Sequence, residues 1–278
     1  MEKTIERMSQ DLARARYAKR TCDCYLAEAE RLFRRFGRPL AELTRDELRT
    51  FVDEMHARGW SASTVVGKQA AIAFLYRKTL GRPDLVSFLC RPRMCQRLPA
   101  VLSAQETSAL LRAIEKPCYL GICLVMYDAG LRLSEALGLE ISDIDAPREV
   151  IRVRHGKGDK QRETKLSQTL YRWLRQYWAR QRPPAPYLFS TRRTGKPPQP
   201  DTVCKAIAQA AEQAGIGKHV TPHVLRHTYA TLMLEHGVDV RVLSELLGHK
   251  SVQTTARYAR VTRKLVRKSP SPLELPPT

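Results

Sequence analysis

Residues 221–237, TPHVLRHTYATLMLEHG, form the stretch from which the fold and the chemistry of this chain are best predicted. The stretch predicts a helix over residues 222–236. His223 and Arg226 are three residues apart, so they share one face of that helix and can both reach a single anion. His227 lies about a quarter-turn further round, which favours a packing role. The segment therefore predicts a helix that presents an anion-binding face.

Other helices surround this one, together with a single predicted hairpin. Ser103 and Glu106 match a capping box that begins a helix, and the apolar run 122–130 predicts another that ends at a glycine. Residues 149–167 combine β-branched residues, a GKGD turn and a returning polar run, which predicts a β-hairpin. The remaining predicted helices of this half cover residues 168–182, 200–214 and 239–247.

The first part of the chain is predicted to be a small all-helical module. Residues 3–80 give four helices, one of them opened by a capping box at Thr44 to Glu47. A basic, proline-containing stretch follows and indicates a linker, and the last residues contain four prolines, which is typical of a loose tail. The predicted division is a helical domain at 1–90, a basic linker at 91–99, a second domain at 100–268 and a flexible tail at 269–278.

The charge of the chain points to a polyanionic partner. Its 48 Lys and Arg against 28 Asp and Glu give a net charge of +20. Residues 1–100 carry 20 basic and 12 acidic side chains, and the remainder carries 28 and 16, so both parts are basic. Self-repulsion opposes compaction, whereas binding to nucleic acid releases counterions. The alternative is an ordinary basic protein with solvated Lys and Arg faces.

Several classes of protein are excluded by what the sequence lacks. The seven cysteines form no CxxC pair, which argues against a zinc ribbon and against a disulfide scaffold. The first residues, MEKTIERMSQ, contain no apolar core of a signal peptide, and no apolar run approaches the roughly 20 residues that span a bilayer. We therefore expect a cytoplasmic protein with no membrane contact.

Further candidate residues for chemistry each have an ordinary structural alternative. Arg132 follows a glycine and precedes Glu135 by three residues, a pattern also typical of a surface ion pair at a helix start. Lys157 lies between two glycines of the hairpin turn, where a solvated lysine is common. His249 lies at a helix end and Tyr258 follows nine residues later, where a tyrosine usually belongs to the core.

Taken together, these segments resemble one family. AGLRLSEAL, HGKGDKQRETKLS, TPHVLRHTYATLMLEHG and LLGHKSVQTTARYARV are similar to the tyrosine recombinase (phage integrase) family, in its Xer-like and integron-integrase-like branch. The insertion typical of integron integrases is not evident before Pro222, which favours a simpler Xer-like enzyme. The resemblance implies a mainly α fold with a small antiparallel sheet, in which a helical, SAM-like core-binding domain precedes a tyrosine-recombinase catalytic domain. The implied catalytic residues are Arg132, Lys157, His223, Arg226, His249 and Tyr258.

The resemblance also implies how phosphoryl transfer would proceed. Tyr258 would attack as the nucleophile, forming a 3′-phosphotyrosine and releasing a 5′-hydroxyl. Arg132 and Arg226 would bind the non-bridging oxygens, and His249 would donate a further hydrogen bond. Lys157 would protonate the leaving oxygen.

Two residues are given assisting roles by the same resemblance, and no cofactor is implied. His223 would act as general base, and Glu135 would hold the arginines and histidines in place. The sequence contains no carboxylate cluster suited to Mg²⁺ and no GxxxxGK[ST] phosphate loop, so we expect neither metal nor ATP to be needed.

The expected partner is double-stranded DNA, enclosed by the two domains as a C-shaped clamp. Recombination joins two duplexes, so the resemblance implies a homotetramer on paired sites. The segment after Tyr258, ARVTRKLVRK, is a candidate for exchange with a neighbouring protomer. Two alternatives stay open at this stage: a type IB topoisomerase-like enzyme that nicks and reseals DNA, and a DNA-binding protein without catalysis.

Overall fold

The structure, a computed structural model, describes residues 2–89, 100–154, 161–248 and 255. The chain divides into two compact units, residues 1–96 and 97–278. The predicted linker at 91–99 and the predicted tail at 269–278 lie outside the described residues. Among the described residues, no helix is long and apolar enough to cross a membrane.

The first unit is helical throughout its described part. The capping box predicted at Thr44 is present, because its side chain accepts from the Glu47 backbone N–H and the Glu47 carboxylate accepts from the Thr44 backbone N–H. After the fourth helix the chain continues through a π-helical turn, Leu75–Thr79, that the sequence did not predict. One core joins these elements and includes Met8, Leu32 and Met55, all fully buried. The helices are α1 Glu2–Arg14, α2 Lys19–Phe36, α3 Arg45–Ala57 and α4 Ala62–Phe74.

The second unit is built around a larger core shared by Pro117–Asp128 (α6), Gln168–Gln181 (α8) and Pro222–Glu235 (α10). The predicted capping box at Ser103 is present and begins α5, Ala104–Ala113, whereas α6 begins five residues before the apolar run from which it was predicted. Proline suits this first turn because its backbone nitrogen has no hydrogen to donate. The helices are α5 Ala104–Ala113, α6 Pro117–Asp128, α7 Leu133–Leu137, α8 Gln168–Gln181, α9 Pro200–Gln213, α10 Pro222–Glu235 and α11 Val240–Leu247.

A three-stranded antiparallel sheet, in the order β1-β2-β3, completes the second unit. The predicted hairpin supplies β2, Val150–Val153, and β3, Arg162–Lys165, while its turn lies outside the described residues. The first strand, β1 Ile144–Asp145, was not predicted because two residues show no period of their own. The predicted fold class, mainly α with a small antiparallel sheet, is confirmed.

The register of the hairpin decides which side chains of β3 point into the unit. Ile151 pairs with Thr164 and Val153 pairs with Arg162. Ile151 and Val153 are both buried, and paired residues share one face of a sheet. Arg162 and Thr164 therefore point to the buried face, where Thr164 donates a hydrogen bond to the carbonyl oxygen of Ala129 at 2.9 Å.

Candidate functional site

Helix α10 presents the two basic side chains that were predicted to share a face. The helix begins at Pro222, so His223 and Arg226 lie within its first two turns. Arg226 is 3% exposed, whereas His223 is exposed at the surface. A guanidinium group buried to this degree needs partners that compensate its charge.

Glu135 supplies that compensation and connects three arginines. Its side chain is 1% exposed and lies in α7. Arg132 donates to Oε1 at 2.6 Å, and Arg162 donates to Oε1 at 2.8 Å and to Oε2 at 2.7 Å. Nη1 of Arg226 lies 3.6 Å from Oε2. The alternative of a surface ion pair between Arg132 and Glu135 is therefore wrong, because the carboxylate is buried among three cations.

The same three arginines bind the end of α11. Arg162 donates to the carbonyl oxygen of Leu246 at 2.8 Å, Arg226 to that of Leu247 at 2.5 Å and Arg132 to that of Gly248 at 3.1 Å. The last carbonyl groups of a helix have no partner within the helix and carry partial negative charge. Three successive carbonyl groups are thus capped by three arginines from three different elements.

Two glycines, Gly130 and Gly248, allow neighbouring side chains to pack closely against the backbone around the arginines. The carbonyl oxygen of Gly130 accepts a further hydrogen bond from Arg226 at 2.6 Å, and Gly130 has φ +67°. A Cβ there would lie 2.5 Å from Cε1 of Tyr229. Gly248 has φ +62°, and a Cβ there would lie 2.9 Å from Cδ of Arg162. Only glycine meets both the left-handed conformation and the close contact at these positions.

Glu135 stays ionised because of its arginine partners. Burial opposes ionisation and raises the pKa, but the hydrogen bonds and charge of Arg162, and then those of Arg132, outweigh it. The pKa of the carboxyl is lowered to about 2. At neutral pH the group therefore contains one carboxylate and three guanidinium ions, and it keeps a positive excess suited to an anion.

His223 is held in its neutral form by its surroundings. Although its side chain reaches the surface, neighbouring protein atoms remove part of its hydration, and this desolvation is the largest cause that lowers its pKa. The positive charges of Arg226 and Arg132 lower it further. A neutral imidazole beside two guanidinium ions can accept a proton at pH 7. The two arginines thus act electrostatically on His223 as well as on an incoming anion.

The structure brings together part of the predicted site. Arg132, Glu135 and Arg226 form one hydrogen-bonded group, and His223 extends from the same helix as Arg226. The other three predicted residues, Lys157, His249 and Tyr258, lie outside the described residues.

Arg162 was not among the residues predicted from the sequence. It lies in the returning polar run of the predicted hairpin, where it binds Glu135 through two hydrogen bonds and its side chain is 9% exposed. The alternation of side chains along the strand could have indicated that Arg162 faces the interior. Arg162 and Thr164 are two residues apart, and they pair with the buried residues Val153 and Ile151.

No metal centre is formed by the part of the chain that the structure describes, where no group of three or more His, Cys, Asp or Glu side chains is placed to hold an ion. Two arginines fixed in one network can bind the oxygens of a phosphoryl group through paired hydrogen bonds.

Comparison with known families covers most of the chain. A family described as "Phage integrase family" matches residues 100–264, and "Phage integrase, N-terminal SAM-like domain" matches residues 4–84. The two matches fall within the second and the first compact unit, respectively.

Individual relatives agree with these matches. A putative integrase/recombinase, y4qK, of Sinorhizobium fredii is 37% identical over 98% of this chain and 89% of its own length. Tyrosine recombinase XerA of Pyrococcus furiosus is 38% identical over 79% of this chain and 77% of its own. The crystal structure of a lambda integrase dimer bound to a COC′ core site has a TM-score of 0.74 at 17% identity, covering 91% of this chain and 96% of that one, which shows a shared fold.

Proposed function

The chain belongs to the phage integrase family of tyrosine recombinases, and we propose that it carries out site-specific recombination of double-stranded DNA with Tyr258 as its nucleophile. Enzymes of this family break and rejoin DNA strands. The family match on the second unit extends to residue 264 and so includes Tyr258. Both compact units match recombinase domains, which favours recombination over the topoisomerase-like alternative.

The observation that supports this function most directly is the convergence of Arg132 and Arg226 on Glu135. In phosphoryl transfer the transition state spreads negative charge over the equatorial oxygens, and fixed positive groups stabilise it. The two guanidinium groups would bind the non-bridging oxygens of the scissile phosphate. Glu135 keeps both in place before DNA arrives, so little reorganisation is needed at the moment of reaction.

The other proposed roles concern protons. His223, neutral at pH 7, would take the proton of the Tyr258 hydroxyl as the phosphotyrosine forms, since its pKa lies below the ordinary value of 6.5. Lys157 would donate a proton to the departing 5′-oxygen, and His249 would add a hydrogen bond to the phosphate. Gly248, whose carbonyl oxygen is bound by Arg132, directly precedes His249.

DNA binding would involve both units, since residues 1–100 and residues 101–278 each carry an excess of basic side chains. We propose that the units enclose one duplex as a clamp and that four protomers assemble on two paired sites. Affinity should then fall steeply with salt, because each phosphate contact releases counterions. A gel-shift titration at several salt concentrations tests this, and residues 100–278 alone should show a smaller salt slope. An equal slope would contradict the clamp.

The experiment for the nucleophile uses a library of duplexes with randomised sequence. Wild-type protein should retain a subset of duplexes through denaturing washes, because the phosphotyrosine bond is covalent. Tyr258→Phe, which lacks only the phenolic oxygen, should bind DNA under native conditions and retain none after denaturation. Adduct formation should continue in EDTA without nucleotide. Equal covalent retention by Tyr258→Phe would remove Tyr258 from this role, and an adduct that requires added Mg²⁺ would contradict the metal-free mechanism.

A further inference from the structure

We infer that Arg162 is a positioning residue, which holds the strand after the hairpin turn, the Glu135 carboxylate and the end of α11 in one fixed arrangement. This inference rests on the proposed function, since it concerns where the proposed catalytic residues lie. It assigns to Arg162 no contact with DNA or with the reacting atoms.

The hydrogen bonds of Arg162 account for this role. Nε donates to the carbonyl oxygen of Leu246, while Nη1 and Nη2 donate to the two oxygens of Glu135. All three nitrogens are thus engaged by protein acceptors, and the side chain is 9% exposed. Its two terminal nitrogens bind the two oxygens of one carboxylate, whereas those of Arg132 and Arg226 donate to acceptors on separate residues. The planar fork of Arg162 is therefore committed to Glu135.

Arg162 and its two partner residues each lie close in sequence to a proposed catalytic residue. Arg162 follows Lys157 by five residues, Leu246 precedes His249 by three, and Glu135 follows Arg132 by three. A single planar guanidinium group therefore connects the chain near Lys157, the chain near His249 and the carboxylate that orients Arg132. Its fork geometry fixes all three at once, which a point charge would not do.

Packing adds to the same constraint. The stem of Arg162 lies against Gly248, where a Cβ would approach Cδ to 2.9 Å and Nη1 to 3.1 Å. The guanidinium group of Arg162 therefore fills the space that any other residue at position 248 would occupy. Loss of the Arg162 side chain would leave Glu135 with one fewer cation and the Leu246 carbonyl group without its cap. Helix α7 and the end of α11 would then be free to shift.

The test uses the full-length protein and a duplex selected from the library for adduct formation by the wild type. Arg162→Ala and Arg162→Lys are compared with Arg148→Ala. Arg148 also donates two hydrogen bonds to a glutamate of β3, Glu163, at 2.8 and 3.0 Å, but both side chains are exposed. Native gel shifts give binding, single-turnover adduct formation gives the cleavage rate, and circular dichroism sets a temperature at which every compared variant is folded.

A positioning role predicts that Arg162→Ala binds the duplex within about threefold of the wild type but cleaves about 10²-fold more slowly, the loss that a displacement of about 1 Å produces. Arg148→Ala should match the wild type in both. Wild-type cleavage by Arg162→Ala would overturn the inference, and so would a loss of binding as large as the loss of rate, which would make Arg162 a phosphate contact.

The pH profile and the lysine variant separate geometry from charge. Glu135 is faced by Arg132 at the start of its own helix, by Arg162 from β3 and by Arg226 from α10. Loss of Arg162 should therefore raise the pKa of Glu135 and move the acid loss of folding stability to higher pH. Arg162→Lys should return that loss of stability toward its wild-type pH, yet cleave at least tenfold more slowly than the wild type because an ammonium group lacks the fork. Wild-type speed in Arg162→Lys would reduce the role to charge and overturn the inference. Arg162→Lys also decides the matter if Arg162→Ala does not fold.

Failure of the proposed function gives a different result. In that case neither the wild type nor any variant at position 162 would form adduct above the Tyr258→Phe background.

Double substitution adds an independent check of the inference. The variant that combines Arg162→Ala with Glu135→Gln should cleave about as slowly as the slower single variant, because the effects of substitutions within one network are not additive. Additive losses would show that the two residues act separately and would overturn the inference.

Discussion

Arg132 donates a hydrogen bond from Nη2 to the carbonyl oxygen of Gly248, 3.1 Å away, although 116 residues separate the two in the sequence. The contact connects the beginning of α7 to the end of α11. It places an arginine proposed to bind phosphate directly beside the residue that precedes His249. The arginine group is therefore joined directly to the end of α11 through Gly248.

Gly248→Ala should lower the cleavage rate by at least about 10²-fold, because the Cβ would displace Arg162 and shift the chain before His249. Single-turnover adduct formation measures this. Gly215→Ala is the matched control, since Gly215 has a similar φ of +66° with no atom within 4 Å of a built Cβ. Both variants bear a conformational cost of about 1–2 kcal/mol, so equal cleavage rates in the two would contradict the prediction.

Glu135 should make stability depend on pH in the acid range. Its folded pKa of about 2 lies below the ordinary value of 4.5, so its contribution is fully present above pH 4.5 and is lost as pH falls toward 2. That shift corresponds to about 3 kcal/mol in the free energy of unfolding. Denaturant unfolding of the wild type and Glu135→Gln, at pH 7 and at steps down to pH 3, measures it.

Glu135→Gln should be destabilised at pH 7 by about 3–5 kcal/mol, because it leaves buried arginines without their carboxylate. Its unfolding free energy should also change less between pH 5 and pH 3 than that of the wild type. Glu163→Gln, which removes an exposed carboxylate of the same sheet, should have a much smaller effect. A wild-type pH dependence in Glu135→Gln would show that other groups cause the acid sensitivity.

His223 should set the acid limit of cleavage. Desolvation and the charges of Arg226 and Arg132 lower its pKa, so the neutral form persists below pH 6.5 and the rate should fall only as pH drops through the lowered value. His223→Gln should cleave more slowly at neutral pH, and its single-turnover pH profile should lack this acid limb, the fall in rate at low pH. His236→Gln changes an exposed histidine at the end of the same helix and should keep the wild-type profile. An unchanged limb in His223→Gln would assign the titration elsewhere.

Lys157→Ala should slow cleavage by about 10²–10⁴-fold if Lys157 is the general acid, since the 5′-oxygen would depart without a proton. A substrate with sulfur in place of the bridging 5′-oxygen gives a thiolate that leaves unprotonated. This substrate should restore cleavage to Lys157→Ala but not to Arg226→Ala, which lacks charge stabilisation instead. Equal behaviour of the two variants on the sulfur substrate would leave Lys157 as a phosphate contact only.

Local features of this fold could be predicted because the interacting groups are neighbours in the sequence. The capping boxes at Thr44 and Ser103 involve residues three apart, and both are present. The helix that carries His223 and Arg226 was predicted over residues 222–236 and is found at Pro222–Glu235. The two strands of the hairpin were predicted by the same kind of local pattern. Such interactions form within one turn or one strand pair, so composition and spacing specify them.

The sequence by itself therefore determined the helix that carries His223 and Arg226, the hairpin, the basic character and the family resemblance, while the tertiary structure decided how the arginines are used. Strand alternation could place Arg162 on the buried face, but nothing in the spacing indicated that it binds Glu135 across 27 residues or that Arg226 binds Gly130 across 96. A charged side chain in a polar run is usually solvated, and only packing against other elements removes the water. Once Glu135 was buried, its charge had to be compensated by cations from β3 and α10, because an unpaired buried carboxylate is too costly to keep ionised.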